Sequence, residues 1–192
     1  MARTHLRGRS TRRPWRGLAA TATLLTITMA ALVGWAPALG ASPAATPPTA
    51  ALLEAVGVFA QSGHDQVVFQ FTDNVPGYKL TVVSKPIHAD PSDQVVPIAG
   101  NAVVQVTMSP ASGVDLTKPD APRTYTGPTR ITLNGKAVVE VVQTGDFEGV
   151  LTWDVGLTEQ VPFVALTATN PARLAIDFQD PSEVTANPTF TG

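Results

Sequence analysis

The sequence predicts an all-β fold, a single-domain antiparallel β-sandwich, on the strength of three observations. From Ala50 onward, apolar side chains alternate along short segments rich in Val, Ile, Thr and Phe, which is the period-two pattern of half-buried strands. Gly, Pro, Asn and Asp separate these segments at roughly ten-residue intervals, as in sandwiches and barrels. No part of this region sustains a helical apolar stripe for more than ten residues without Gly or Pro, so we expect little helix.

Nine segments have the strand pattern. A short helix over 52–57 competes with the first of them, and Asn134-Gly135 is typical of a hairpin turn between two strands. The predicted strands are 51–59, 66–72, 78–84, 94–98, 102–108, 137–143, 150–157, 161–168 and 173–179.

Two of these strands have similar sequences. Residues 66–71 read Q-V-V-F-Q-F and residues 173–178 read R-L-A-I-D-F. Alternation places Val67, Phe69 and Phe71 on one side of the first strand. It likewise places Leu174, Ile176 and Phe178 on one side of the second strand. We expect both strands to bury these sets, although two strands rich in Val, Ile and Phe can also match by chance.

The first 41 residues have the features of a secretory signal peptide. Residues 1–16 contain six arginines and no acid, residues 18–35 are uncharged and mostly apolar, and small residues follow at 36–41. The apolar run approaches the length of a membrane anchor, but four threonines weaken it. The stretch T-R-R-P-W-R also resembles a twin-arginine export signal.

The rest of the chain divides into three parts. Residues 42–49 are rich in Pro, Ala and Thr and predict an extended linker. Residues 50–179 form the predicted sandwich. Residues 180–192 are polar and rich in Pro and Thr, so we expect a flexible C-terminal tail.

Charge and cysteine content exclude several classes of function. Without the predicted leader, the chain has seven basic and fifteen acidic residues, a net charge of −8. This charge argues against nucleic acid and anionic membrane surfaces as partners. The chain has no cysteine, so it has no disulfide, no lipid-bearing cysteine and no thiolate metal site. We therefore expect a secreted protein, extracellular or associated with the cell wall, that is not a lipoprotein.

Six blocks of sequence follow one another along the chain: G-H-D-Q-V-V-F-Q-F (63–71), P-G-Y-K-L (76–80), V-P-I-A-G-N-A (96–102), T-Y-T-G-P (124–128), G-D-F-E-G-V-L-T-W (145–153) and N-P-A-R-L-A-I-D-F (170–178). Together they resemble the AMIN-like domain of secreted actinobacterial proteins. The resemblance implies a β-sandwich related to the AMIN domain, a non-catalytic module that places cell-envelope proteins and binds peptidoglycan. AMIN modules usually accompany an amidase, and nothing after Phe178 has the length of one, so we expect a free-standing binder.

We expect neither a catalytic site nor a cofactor or metal. His64 and His88 lie in polar loops without metal-ligand spacing, and no serine-hydrolase motif occurs. A pair chosen from Asp146, Glu148 and Asp154 could in principle hydrolyse a glycan. However, Asp146 and Glu148 fall in a turn, where Asp commonly serves backbone geometry.

Four residues are candidates for contact with a ligand. Tyr125 lies in a long Pro-rich connection, 109–134, of the kind that is often functional, and could instead fold its ring down onto its own loop. Arg123 and Arg130 flank it with forked donors for a carboxylate or amide oxygen, and Phe147 occupies a glycine-bounded turn. Trp153 and Tyr78 share their faces with apolar residues, so we expect both in the core.

The sequence therefore predicts non-covalent binding to peptidoglycan or another wall component. An adaptor between exported envelope proteins is the main alternative, and it would use an exposed strand edge or apolar patch. A glycan hydrolase is the second alternative.

Overall fold

A computed structural model describes residues 49–186, which form a β-sandwich with one short helix. The predicted leader lies outside the described residues, as do the linker up to residue 48 and residues 187–192. The elements in chain order are β1 (Ala51–Ala60), β2 (His64–Phe71), β3 (Gly77–Val83), β4 (Ile87–His88), β5 (Val95–Val96), β6 (Ala102–Ser109), β7 (Ala111–Ser112), β8 (Arg130–Thr132), β9 (Val138–Phe147), β10 (Val150–Leu157), β11 (Phe163–Thr169), β12 (Ala172–Gln179) and α1 (Pro181–Ala186).

Ten strands form the two sheets of the sandwich. Sheet I has the order β11-β12-β2-β1-β7, and sheet II has the order β3-β6-β10-β9-β8. All neighbours are antiparallel except the short pair β1 and β7. The predicted fold class is confirmed, because the core lies between two antiparallel sheets.

The two strands of similar sequence, β2 and β12, are hydrogen-bonded neighbours in the middle of sheet I. Phe69 pairs with Leu174 and Val67 with Ile176, and all four side chains are fully buried. Each strand has a partner on both sides and one face on the core, so the same alternation suits both positions. Their likeness thus follows from equivalent surroundings.

Trp153 of β10 occupies the centre of the core, as its sequence position predicted. The Phe69 ring lies edge-on to it with 5.9 Å between centroids, and the Tyr125 ring does so at 5.7 Å. The two contacts join sheet I, sheet II and the long connection before β8.

Tyr78 is not a core residue, which corrects the prediction. Its register on β3 turns it to the inner side of sheet II, opposite Met108, yet it is 42% exposed, and Val82 on the same side is 45% exposed. β3 is the edge strand of sheet II, so the opposing sheet covers its inner side only in part. Alternation correctly predicted the side of the strand on which Tyr78 lies. Whether the opposing sheet covers that side depends on strand order.

The segment 84–101, here called the strap, lies over the outer side of sheet II. The Ala99 N–H donates to Glu140 Oε2 at 2.8 Å, and the Asp90 N–H donates to the Thr144 carbonyl at 2.8 Å. Gly156 is needed beneath it, because a Cβ there would lie 2.1 Å from the Ala99 carbonyl oxygen. The predicted strand 94–98 is reduced to the two residues of β5, which pair antiparallel with β4 in a small two-stranded sheet within the strap.

The described residues after 179 include the buried Asp180 and the helix α1. Asp180 is buried, and its carboxylate accepts a hydrogen bond from Lys136 Nζ at 2.5 Å and another from the Ser182 N–H at 3.1 Å, at the start of α1. The hydrogen bond from Lys136 holds the pKa of Asp180 below its ordinary value. The hydrogen bonds to this buried carboxylate explain why the fold continues past residue 179.

Candidate functional site: the open face of sheet I

The outward side of strands β11, β12, β2 and β1 is accessible to solvent, and we call it the open face. Strand register arranges its side chains in three rows, each crossing four strands. The middle row is apolar, and each flanking row combines apolar with polar residues. The middle row is Leu166, Ala175, Val68 and Gly57; the flanking rows are Val164, Asp177, Gln66 and Phe59, and Ala168, Arg173, Gln70 and Ala55.

Phe59 is the exposed aromatic group of this face. Its side chain is 50% exposed, and its ring leans over Gly57, where a Cβ would lie 2.7 Å from the ring atoms Cε2 and Cζ. Gly57 therefore leaves the space that the ring occupies. A groove of about 270 Å³ lies beside the ring and is lined by Gln66, Gln70 and Arg173 among others.

Two small polar networks border the middle row. On one side, Arg173 Nε donates to Gln70 Oε1 at 3.2 Å, and Gln70 Nε2 donates to Glu54 Oε2 at 3.3 Å. On the other side, Gln66 Nε2 donates to Asp177 Oδ1 at 2.7 Å. The bonds of the first network are exposed and add little stability, while the Gln66–Asp177 bond is partly buried. Both networks hold amide, guanidinium and carboxylate groups beside an apolar strip.

A second hollow adjoins the first at the end of β2 and β12. It has a volume of about 410 Å³ and is lined by residues that include His64, Phe163 and Asp177. The Nε2 atom of His64 lies 3.8 Å from Asp177 Oδ1. Because Asp177 and Gln66 are hydrogen-bonded between the two hollows, the open face offers one continuous surface with apolar, amide and charged parts.

The comparisons with known proteins identify the family of this sandwich. The family model described as AMIN-like domain matches residues 51–180, more than half of the chain. The chain belongs to the AMIN-like domain family. Searches of curated proteins and of solved structures found no significant match. AMIN-like domains are in general non-catalytic modules of secreted or periplasmic cell-envelope proteins, and the resemblance noted from six sequence blocks is confirmed.

Tyr125 of this AMIN-like domain has its ring in the core. The residue is 5% exposed, its ring packs against Trp153, and its hydroxyl donates to the Pro128 carbonyl at 2.6 Å. Burial raises the pKa of the hydroxyl. The ring therefore fixes its own loop, the alternative that the sequence left open, and we do not include it in the site.

Phe147 and Arg123 lie on exposed parts of the AMIN-like domain. Phe147 is 44% exposed and precedes the tight turn between β9 and β10, where Glu148 and Gly149 have φ values of 50° and 75°, as a type I′ hairpin requires. Arg123 is exposed in the long connection, where its backbone bridges to Val114.

Arg130 lies on the other sheet of the AMIN-like domain. Its Nη1 atom donates to Glu140 Oε1 at 2.5 Å, and its Nη2 atom donates to the Pro97 carbonyl at 2.9 Å. The guanidinium thus holds the strap to sheet II. Of the four residues predicted as ligand contacts, Tyr125 is buried and Arg130 is bonded to Glu140 and to the strap, while Arg123 and Phe147 are exposed.

The three carboxylates considered for glycan hydrolysis have separate surroundings in the AMIN-like domain. Asp146 accepts hydrogen bonds from Ser112 Oγ at 2.8 Å and from the Gly113 N–H at 3.0 Å. Asp154 is fully buried and accepts from Thr144 Oγ1 at 2.6 Å; its burial raises the pKa of the carboxyl. Glu148 occupies the exposed turn. Within residues 49–186, no cluster of His, Asp or Glu could hold a metal ion.

No helix of the AMIN-like domain, as far as residues 49–186 describe it, has the length and apolarity needed to cross a bilayer.

Sequence reasoning missed Phe59 because β1 contains a bulge. Leu53 faces the core, so strict alternation would turn Phe59 inward as well. A register shift between Leu53 and Ala55 moves the inward set to Val56 and Val58 and turns Phe59 out. The charged, exposed Glu54 was the feature of the sequence that could have indicated this bulge.

Proposed function

We propose that this protein is an exported, non-catalytic module that binds the glycan or peptide part of peptidoglycan through the open face. The observation that carries the proposal is the exposed Phe59 ring beside the groove that Gln66, Gln70 and Arg173 line. The family supports a role in the cell envelope. The basic, apolar and small-residue order of residues 1–41 supports export.

The chemistry of the groove suits an acylated sugar or a short peptide. A sugar ring has an apolar face that packs on an aromatic ring, while its hydroxyl and amide groups need nearby hydrogen-bond partners. Phe59 offers the ring, Gln66 and Gln70 offer amides, and Arg173 offers a forked donor. These groups lie within three adjacent strands, so one ligand can reach all of them.

The charge of the chain favours a ligand without many phosphates. From residue 42 onward the net charge is −8, so an anionic wall polymer would meet general repulsion. Arg173, already bonded to Gln70, offers one local positive charge for a single carboxylate.

Cosedimentation with purified peptidoglycan sacculi tests this function. Residues 42–192 contain the described unit with its own core, so the chain without the predicted leader is suitable. We expect the wild type to pellet with sacculi. Phe59→Ala removes a ring whose exposed half contributes about 1–1.4 kcal/mol when buried, so we expect about five- to tenfold weaker binding.

Phe147→Ala is the matched control, because that ring has similar exposure at the hairpin between β9 and β10. We expect it, and Arg123→Ala, to bind as the wild type does. Loss of binding in these two variants with retention in Phe59→Ala would move the site to the hairpin end of the sandwich. A wild type that does not pellet would refute wall binding, and a protein partner crosslinked from envelope extract would then support an adaptor. Release of soluble fragments from the sacculi would support the hydrolase alternative.

A further inference from the structure

β11 is an edge strand of sheet I with features that β7, β3 and β8, the other strands at the ends of the two sheets, lack. It has seven residues and carries no charge. Edge strands normally avoid pairing by being short or charged: β7 has two residues and β8 has three, and β3 carries Lys79. Val164 and Leu166 of β11 are 53% and 51% exposed.

The hydrogen-bond pattern leaves alternate backbone groups of β11 facing away from the sheet. The Pro162 carbonyl accepts from the Gln179 N–H at 3.0 Å, so residue 162 and every second residue after it bond to β12. The N–H and C=O groups of Phe163, Ala165 and Thr167 therefore point outward. Among residues 49–186 no further strand pairs with this edge.

We propose that β11 pairs antiparallel with β11 of a second copy of this chain, about a twofold axis at Leu166. In this register all seven residues take part, and Ala165 and Thr167 exchange hydrogen bonds with Thr167 and Ala165 of the second copy. Leu166 then faces Leu166 as a non-hydrogen-bonded pair, the arrangement with the closest side chains. Sheet I of one copy and sheet I of the other then form one ten-stranded sheet, and the two open faces become continuous.

The charges on β12 favour a second copy of this chain as the partner of β11, and they favour this register. Val164 pairs with Asp177 on one side, and Ala168 pairs with Arg173. The twofold places Val164 opposite Ala168 of the second copy, so Asp177 and the second copy's Arg173 lie in one row. With strands about 4.8 Å apart, their backbones are about 14 Å apart, and both side chains bond to glutamines of β2, so the two charges attract each other without forming an ion pair. The charges in each such row are opposite, whereas the chain as a whole is acidic.

The pairing is independent of the proposed wall binding. It joins two open faces, so it would present two Phe59 rings to a repetitive polymer and strengthen binding through multivalency. Its interface is one strand wide, below the roughly 1,200–2,000 Å² of stable complexes, so we expect a monomer–dimer equilibrium that depends on concentration.

Sedimentation velocity of residues 42–192 over a dilution series tests the pairing. We expect the mass to approach twice the monomer mass as the concentration rises. Leu166→Lys and Leu166→Glu each place like charges against each other at the twofold, so each variant alone should remain monomeric. An equimolar mixture should dimerise again, because lysine then faces glutamate.

Val82→Lys is the matched control, a similarly exposed valine on the edge strand β3, and we expect it to dimerise as the wild type does. Ala165→Pro gives a second test, because it removes one outward N–H and leaves the ladder to β12 intact. A wild type that stays monomeric at all concentrations would overturn the proposal. So would dimers of Leu166→Lys alone, a mixture that stays monomeric, or assemblies larger than two copies. None of these outcomes depends on whether sacculi are bound.

Discussion

The buried carboxylate of Asp65 ties the two sheets together, and its removal should be strongly destabilising. Asp65 lies on β2 of sheet I and is 2% exposed. Its Oδ2 atom accepts hydrogen bonds from the N–H groups of Ala137 at 2.7 Å and Val138 at 2.8 Å, where β9 of sheet II begins. Gly135 is required beside it, because a Cβ there would lie 2.3 Å from Oδ2.

We expect Asp65→Ala to lower the free energy of unfolding by about 3–5 kcal/mol. The substitution leaves two buried N–H groups without an acceptor, and each such loss costs about 1–3 kcal/mol. Asp65→Asn keeps one oxygen at a similar position but loses the charge that strengthens both bonds, so we expect a smaller loss, about 1–2 kcal/mol. Domains of this size have a total stability of about 5–15 kcal/mol, so both variants should be measurable.

Urea unfolding followed by tryptophan fluorescence measures these changes. Trp153 is the single tryptophan after the predicted leader and is fully buried, so its emission reports on the core. Asp73→Ala in the exposed turn after β2 is the control, with an expected change below about 0.5 kcal/mol. A loss below about 1 kcal/mol for Asp65→Ala, or equal losses for the alanine and asparagine variants, would refute this account of the carboxylate.

Two further variants test the buried polar groups of the core and of sheet II. Tyr125→Phe removes the hydrogen bond to the Pro128 carbonyl and should lower the free energy of unfolding by about 1 kcal/mol; a urea midpoint equal to that of the wild type would contradict this. Asp154→Asn should remove part of the pH dependence of the free energy of unfolding, because burial raises the pKa of Asp154 in the folded state. The contribution of Asp154 to stability is therefore lost as the pH rises from below the ordinary carboxyl pKa through the raised value. The difference in urea midpoint between the wild type and the asparagine variant should change in favour of the variant over this pH range, and parallel curves would show that Asp154 does not titrate as described.

The two sheets differ in what lies over their outer sides, and this difference points to the open face. The strap covers Gly156 of sheet II and is held there by Arg130 and Glu140. On sheet I, the apolar row through Val68 and Leu166 remains accessible. Apolar surface that a fold leaves exposed and borders with polar groups is typical of interaction sites.

Alternation along the chain predicted the fold class and most strands. β10 has the predicted bounds, and the inward sets of β2 and β12 were identified residue by residue. These successes have one cause: in a strand with a partner on both sides, each side chain meets either the core or the outer face, and the sequence records which. The hairpin at Asn134-Gly135 was also predicted, since Thr132 of β8 pairs with Glu140 of β9.

The short strands β4, β7 and β8 were missed because two or three residues carry too little periodicity. Their positions depend on distant partners, such as the pairing of Ala111 with Ala51.

The sequence by itself determined that this chain is a β-sandwich with Trp153 in its core, because local alternation decides which side of a strand is apolar. Only the tertiary structure decided which outward surface is available. The bulge in β1 turned Phe59 to solvent, strand order left Tyr78 at an edge, and the packing of a loop carried Tyr125 into the core. These outcomes depend on contacts between residues far apart in the chain, and no local pattern encodes them.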